Sequence, residues 1–193
     1  MDFVEGLKRK EEVALIELMK EYGNYLTRTA YLLLKDQQLA EEAVQDTFIT
    51  AFEKINQLAD PEKLRSWLTS ILINRCRSYQ RKRSWKHAFL PLSLIEPFKE
   101  EQRFESPEDQ FFNLLEHQEL STAIHELEYK YREVIILYYF NEMKIHEISH
   151  YLKANENTIK SRLTRGRLQL KQILQRGEGE YEQGKRKNET TAR

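Results

Sequence analysis

Apolar residues recur at three- and four-residue intervals along most of this chain, and little interrupts them: 193 residues include six glycines and four prolines. A 3.6-residue period with so few breakers, and almost no strand-like alternation, predicts an all-α protein. From Glu11 to Leu34 the positions Leu15, Leu18, Met19, Tyr22, Leu26, Ala30 and Leu33 fall at helical spacing. Lys35-Asp36-Gln37-Gln38 breaks that run. A second helix is expected from Leu39 to Ile55, its face made of Ala43, Val44, Thr47, Phe48, Ala51, Phe52 and Ile55. Asn56 to Lys63 reads as a loop. A third helix spans Pro61 to Arg83, with a stripe of Leu64, Trp67, Leu68, Ile71, Leu72 and Tyr79; proline is tolerated in a first turn.

His87 to Asp109 holds three of the four prolines and no sustained period, which predicts a linker. Two more helices, Phe111 to Leu127 and Tyr131 to Asn141, precede a short helix, a tight turn and a longer helix within Lys144 to Leu174. The polar stretch from Gly177 reads as disordered. The expected organisation is two small helical domains, 1–86 and 112–176, joined by a flexible acidic linker, 87–111, and followed by a polar tail, 177–193.

The formal net charge of zero conceals strong segregation. Residues 61–95 hold eight Lys/Arg against Glu62 alone, and residues 153–176 hold seven against Glu156 alone. Residues 96–119 reverse this, with eight acids against Lys99 and Arg103. Two basic blocks, each on a helix with its own apolar stripe, point to two contacts on a nucleic acid. Cys76 is the single cysteine, so no internal disulfide is possible. No apolar run approaches the roughly 18 residues of a membrane span, and the N-terminus lacks a signal-peptide core. A cytoplasmic protein is expected.

The second basic block has the pattern of a helix-turn-helix. Ile145, Ile148 and Leu152 give the first helix its buried face, and Asn155 suits the cap of the second. Ile159 and Leu163 are the expected packing pair. Asn157, Thr158, Lys160, Ser161, Arg162, Arg165 and Arg167 are then left for DNA, the arginines suited to guanine edges or phosphates. His146-Glu147-Ile148-Ser149-His150 also matches the H-E-x-x-H spacing of zinc proteases. Lys153 and Glu156 stand where that chemistry would need a glycine and a third histidine, so neither metal nor cofactor is expected, and no catalytic centre.

In the first domain, Glu41, Glu42, Asp46 and Glu53 make the second helix acidic on one side, unsuited to DNA. Gln45, Asp46 and Thr47 beside Phe48 suggest a protein-docking face. The third helix ends in Arg75, Arg77, Arg81, Lys82 and Arg83, interleaved with Tyr79 and Trp85. Cations among aromatic rings suit an unpaired strand, since exposed bases stack on rings while the charges hold the backbone.

These residues together resemble the extracytoplasmic-function sigma factors of bacterial RNA polymerase. LAEEAVQDTFITAFEKI is similar to the region 2 helix that docks on the polymerase clamp, and LRSWLTSILINRCRSYQRKRS to the segment that reads and melts the −10 element. EISHYLKANENTIKSRLTRGRLQL is similar to the region 4 helix-turn-helix of −35 recognition. The chain departs from the family pattern at Ser78 (usually Asp), Lys153 (usually a turn glycine) and Ser149 (usually Ala).

The resemblance implies a non-enzymatic initiation factor whose partners are core RNA polymerase and promoter DNA. It implies clamp docking, on the helices of the β′ subunit, through Glu41, Gln45, Asp46, Phe48 and Phe52. It implies −10 contacts from Lys63, Arg65, Trp67, Asn74, Arg75, Arg77, Arg81 and Lys82, and −35 contacts from Asn157 to Arg167. It also implies an anti-sigma factor, in many members membrane-anchored. Two elements two helical turns apart are ~70 Å between centres; the linker spans up to ~75 Å when extended. The alternative is a stand-alone helix-turn-helix regulator of an operator, which leaves the acidic docking helix and the basic aromatic helix end unexplained.

Overall fold

A computed structural model of the chain describes residues 3–89 and 115–191, with side chains described for 4–82 and 120–177. It divides into two compact units, Met1–Glu100 and Glu101–Arg193, each with its own core. The division falls inside the segment read as the linker; of 87–111, only 87–89 lie within the described residues. Every regular element among the described residues is helical.

The first unit packs α2 (Glu12–Leu34), α3 (Gln37–Lys54) and α4 (Leu64–Phe89) against one another. Leu18, Leu26 and Leu33 of α2, Phe48 of α3 and Leu68, Leu72 and Ile73 of α4 are buried in the core these helices share. Ala30, Ala40, Ala43 and Ala51 are fully buried, and their small side chains let α2 and α3 approach closely. The α2–α3 turn is set by the chain itself. Lys35 takes a left-handed conformation at φ 61° and its N–H bonds Tyr31 O at 2.9 Å. Asp36 then caps α3, its Oδ1 accepting from Leu39 N at 3.0 Å.

Between α3 and α4 the expected loop is two short 3₁₀ turns, Ile55–Gln57 and Pro61–Lys63. Asp60 caps the second, accepting from Glu62 N at 3.0 Å. Of the expected α4 stripe, Leu64, Leu68 and Leu72 are buried and Trp67, Ile71 and Tyr79 half-buried, while Ile73 and Cys76 are buried outside it. On α2, Met19 of the expected stripe is instead exposed, as are Val13 and Ile16.

One element escapes sequence reading: α1, Phe3–Lys8. Its Val4 and Leu7 are buried against α2 and the Ile55–Gln57 turn. Gly6 permits this contact, because a Cβ there would stand 2.7 Å from Ala14 Cβ. Lys10, also left-handed at φ 61°, places its ammonium over the Phe52 ring at 4.7 Å and donates to Phe52 O. A cation there completes the C-terminal carbonyls of α3.

The second unit comprises α5 (Leu115–Glu126), α6 (Tyr129–Ile135), α7 (Ile145–Leu152) and α8 (Glu156–Thr191). Arg132 is 2% exposed, and its Nη1 donates to His125 O and Leu127 O at 3.2 and 3.3 Å. Its charge therefore sits on the carbonyl end of α5. The sequence predicts an ordinary helix to Asn141; α6 instead widens into a π turn over Ile136–Phe140. Asn141 N bonds Ile136 O at 3.1 Å and Met143 N bonds Leu137 O at 3.0 Å. The backbone of α8 stays helical to Thr191, through the stretch expected to be disordered. Its Glu, Gln, Lys and Arg are good helix formers and no proline interrupts them.

Candidate nucleic-acid and protein-docking surfaces

α7, the turn and α8 form the expected helix-turn-helix. Ile148, Leu152, Ile159 and Leu163 close its core. Gly166 faces α6 so tightly that a Cβ would stand 3.1 Å from Ile135 Cγ1. Glu147 caps the start of α7, its Oε2 accepting from Lys144 N at 2.7 Å. That carboxylate is thereby engaged by backbone, while His146 and His150 are exposed. The turn keeps its left-handed residue although no glycine is present: Lys153 has φ 50° and ψ 45°. Ala154 N bonds Ser149 O at 3.1 Å, and Ser149 Oγ donates to Ala154 O at 2.7 Å. Asn155 caps α8 as expected, Oδ1 accepting from Asn157 N at 2.8 Å.

With Ile159, Leu163 and Gly166 turned inward, Asn157, Lys160, Ser161, Arg165 and Arg167 are exposed, and Thr158 and Arg162 half-buried. All seven predicted residues thus lie on or beside the free side of α8. Lys160 pairs with Glu156 at 3.7 Å, and Arg167 Nε donates to Leu163 O at 3.3 Å. Sequence reading missed Leu168, which is 59% exposed. Its spacing from Asn157, Ser161 and Thr164 (i, i+4, i+7, i+11) places it on the same line. The surface offers amide, hydroxyl and guanidinium donors around a helix start, the chemistry of phosphate and base-edge contact.

In the first unit, α3 shows two adjacent ridges. Glu41, Gln45 and Ile49 are exposed, Ile49 at 58%. One residue further on, Glu42, Asp46 and Thr50 run beside α4. Of the residues expected at the docking face, Phe48 is 4% exposed and Thr47 is fully buried, so neither side chain lies on the surface of α3. Phe52 is half-buried beneath Lys10. The apolar residue on the surface is Ile49; its register with Glu41 and Gln45 at i+8 and i+4 was the available signal.

α4 likewise divides its polar residues. Asn74, Arg77 and Arg81 share one face; Asn74 and Arg81 are exposed and Arg77 half-buried. Arg75, Tyr79 and Lys82 lie about 100° around the helix. Arg75 Nη2 donates to Thr50 Oγ1 at 3.0 Å and Nη1 stands 3.8 Å from Asp46 Oδ2. Tyr79 donates to the same Asp46 oxygen at 3.4 Å. Burial, followed by the Glu42 and Asp46 carboxylates, pushes its hydroxyl from 10.0 to about 12. At the other end of α4, Lys63 and Arg65 are exposed and Trp67 half-buried. Arg65 stacks 4.3 Å over the Tyr25 ring, whose hydroxyl meets Thr69 Oγ1 at 3.1 Å. The side chains of Arg83, Trp85 and Lys86 lie outside the described residues.

A helical unit with a basic row along one helix, joined in one chain to a helix-turn-helix unit, is the arrangement of a bipartite DNA-binding protein. Comparison with known proteins makes the class specific. Residues 18–86 match the family model of sigma-70 region 2, and residues 117–170 that of sigma-70 region 4. The chain is 33% identical over 162 residues to the ECF RNA polymerase sigma factor SigM of Bacillus subtilis, covering 83% of this chain and 95% of SigM. It is 26% identical over 158 residues to the RNA polymerase sigma factor SigV of the same organism, covering 82% and 89%. Among solved structures it resembles the sigma factor RpoE of Bartonella quintana, crystallised with the anti-sigma factor NepR: TM-score 0.60, 26% identity, 82% of this chain and 97% of that one. It shares its fold with CnrH in complex with the cytosolic domain of CnrY: TM-score 0.59, 21% identity, 90% and 95% covered.

The chain belongs to the ECF sigma factors of RNA polymerase. It is therefore an initiation factor, one that works with core polymerase at promoter DNA. Among the described residues, no helix is long and apolar enough to cross a membrane.

Proposed function

We propose that the two units divide promoter recognition as follows. The first unit docks on the clamp helices of the β′ subunit through the Glu41–Gln45–Ile49 ridge of α3, with Asp46 on its edge. Asn74, Arg77 and Arg81, with Lys63, Arg65 and Trp67 at the far end of α4 and Lys82 beside them, hold the separated −10 strand. The second unit seats Asn157, Thr158, Lys160, Ser161, Arg162, Arg165 and Arg167 on the −35 duplex. The working boundaries are 1–86 for region 2, 87–111 for the linker and 112–176 for region 4, with no catalytic step in either unit and action in the cytoplasm.

The observation that carries this reading is chemical separation within one unit. The solvent ridge of α3 carries the Glu41 carboxylate, the Gln45 amide and the apolar Ile49, suited to protein, while the Asn74–Arg77–Arg81 row of α4 is basic, suited to a strand. Melting then follows from differential binding, the open strand being held better than the closed duplex. An anti-sigma factor belongs in the same proposal, since RpoE was co-crystallised with the anti-sigma factor NepR and the CnrH structure is a complex with the cytosolic domain of CnrY.

In vitro transcription tests it. Core polymerase plus this protein should start at discrete promoters from a genomic pool. A protein that binds duplex DNA unaided and leaves core polymerase silent would instead be an operator-binding regulator.

A further inference from the structure

The clasp between α3 and α4 divides labour differently from the sequence reading, which gave Arg75 to DNA. An α-helix advances 100° per residue, so Asn74, Arg77 and Arg81 fall within about 60° of one another. Arg75 and Tyr79 lie on the neighbouring face, one turn apart, and meet the Asp46–Thr50 pair, also one turn apart on α3. The two helices run antiparallel here, so that Arg75 reaches Thr50 and Tyr79 reaches back to Asp46. Four contacts tie the cluster: Arg75 to Thr50 at 3.0 Å, Arg75 to Asp46 at 3.8 Å, Tyr79 to Asp46 at 3.4 Å, and Thr50 Oγ1 to Asp46 O at 2.7 Å.

We infer that Arg75 and Tyr79 are positioning residues of the polymerase-docking helix: they aim the Asp46 carboxylate along the edge of the Glu41–Gln45–Ile49 ridge. Arg75 thus serves the protein-facing side of the unit, and the strand is held by the Asn74–Arg77–Arg81 row. The inference rests on the docking role proposed above for α3. Its physical basis is preorganisation. An unrestrained aspartate on a helix surface samples several rotamers and must be ordered on association. Here the Tyr79 hydroxyl, by a hydrogen bond, and the Arg75 guanidinium, by an ion pair, restrain Asp46 before a partner arrives, so the ordering falls in folding rather than in docking. Tyr79 remains a donor at all working pH because its hydroxyl is held protonated well past the ordinary range.

The test measures affinity of the full chain for core polymerase, without DNA, by fluorescence anisotropy. Arg75→Ala is expected to raise the Kd about two- to fivefold, the range of a partly exposed pair. Arg75→Lys should recover part of the loss. Combined with Asp46→Asn, Arg75→Ala should cost less than the product of the single losses, because both remove one interaction. A second readout is binding of a −10 non-template oligonucleotide by complex preassembled at saturating core. There, Arg81→Ala should weaken binding more than Arg75→Ala does. Thermal unfolding midpoints guard against misfolding, and Arg75→Lys replaces the alanine variant if that one unfolds.

Unchanged core affinity in Arg75→Ala, or strand loss as large as that of Arg81→Ala, overturns the inference. Ile49→Asp separates the two levels. If it leaves core affinity intact, the docking reading fails and the inference with it. If it abolishes affinity while Arg75→Ala has no effect, the inference alone fails.

Discussion

Ser149 and Ala154 close the helix-turn-helix from opposite ends of its turn: the Ser149 hydroxyl donates to the Ala154 carbonyl at 2.7 Å across a left-handed Lys153. Two of the three departures from the family pattern, Ser149 and Lys153, thus sit in one hydrogen-bonded unit. A lysine in the left-handed region costs on the order of 1–2 kcal/mol, and a satisfied hydroxyl–carbonyl bond contributes about 1 kcal/mol. The bond offsets much of the strain. Ser149→Ala should therefore lower the stability of the second unit by about 1 kcal/mol. Lys153→Gly should raise it by up to about 1 kcal/mol, since glycine relieves the strain but carries more unfolded-state entropy. Urea unfolding of the full chain, following the transition of the second unit, measures both. A stabilised Ser149→Ala variant would contradict the account.

Gly166 marks the close crossing of α8 over α6. Its missing Cβ would meet Ile135 Cγ1 at 3.1 Å and Tyr131 Cβ at 3.4 Å. Gly166→Val should overpack this contact and cost about 1–3 kcal/mol. Duplex affinity should fall with it, because the same crossing sets the orientation of the Asn157–Arg167 surface. A fully stable variant with unaltered near-ultraviolet circular dichroism would show that α8 can slide without penalty.

On the surface proposed for −35 recognition the cations should differ in kind. Arg162→Ala is expected to cost about 1–3 kcal/mol on the preferred duplex and less on altered sequences, the signature of base contact. Lys160→Ala should weaken all duplexes alike and reduce the salt slope by about one. Titrations at several salt concentrations against a small set of sequence variants resolve the two. Equal, sequence-blind losses would assign Arg162 to phosphate instead.

Tyr79 gives the first unit an alkaline limit. Its folded-state value, about 12, lies above the ordinary 10.0, so the folded form binds its proton more tightly than the unfolded chain does. By linkage this contribution is complete below pH 10 and is lost as pH rises from there towards 12. Unfolding midpoints between pH 9 and 11.5 should fall less steeply in Tyr79→Phe than in the parent. Tyrosinate absorbance should show at least one late-titrating ring, absent from the variant.

Ile49 is the apolar residue of the proposed docking ridge, and a few residues that become fully covered carry most of the binding energy of a protein interface. Ile49→Asp should weaken core binding at least tenfold, about 1.4 kcal/mol or more, without loss of helix content. Phe48→Ala, by contrast, should unfold the first unit before it affects docking, since that ring lies in the core. A folded Phe48→Ala variant with a selective binding defect would reverse the two assignments.

Long apolar stripes made α2, α3 and α4 legible in the sequence, and the Asn155 cap and the Ile159–Leu163 pair were legible at single-residue level. Periodicity failed where the signal was short. α1 buries only Val4 and Leu7, and its position depends on the Gly6–Ala14 approach, a tertiary fact. The π turn over Ile136–Phe140 is a backbone event with no side-chain period of its own. Phe48 was legible as core, since its period placed it on the apolar face with Ala43, Val44 and Ala51, whereas the exposure of Ile49, one residue on, went unread. Arg75 was read by its charge, whereas its partner came from α3, 25 residues earlier in the chain. The helical backbone beyond Gly177 was hidden because polar composition reports solvent preference rather than backbone conformation.

The two ridges of α3 are offset by a single residue, and that offset insulates one from the other. Changes along Glu41–Gln45–Ile49 alter what the helix presents while leaving its mooring to α4 untouched; changes along Glu42–Asp46–Thr50 loosen the mooring first. Tolerance to substitution should therefore oscillate with a four-residue rhythm along this helix, in two interleaved phases. With the docking proposed for that ridge, lineages can retune the fit to their own polymerase along one phase without rebuilding the scaffold that carries it.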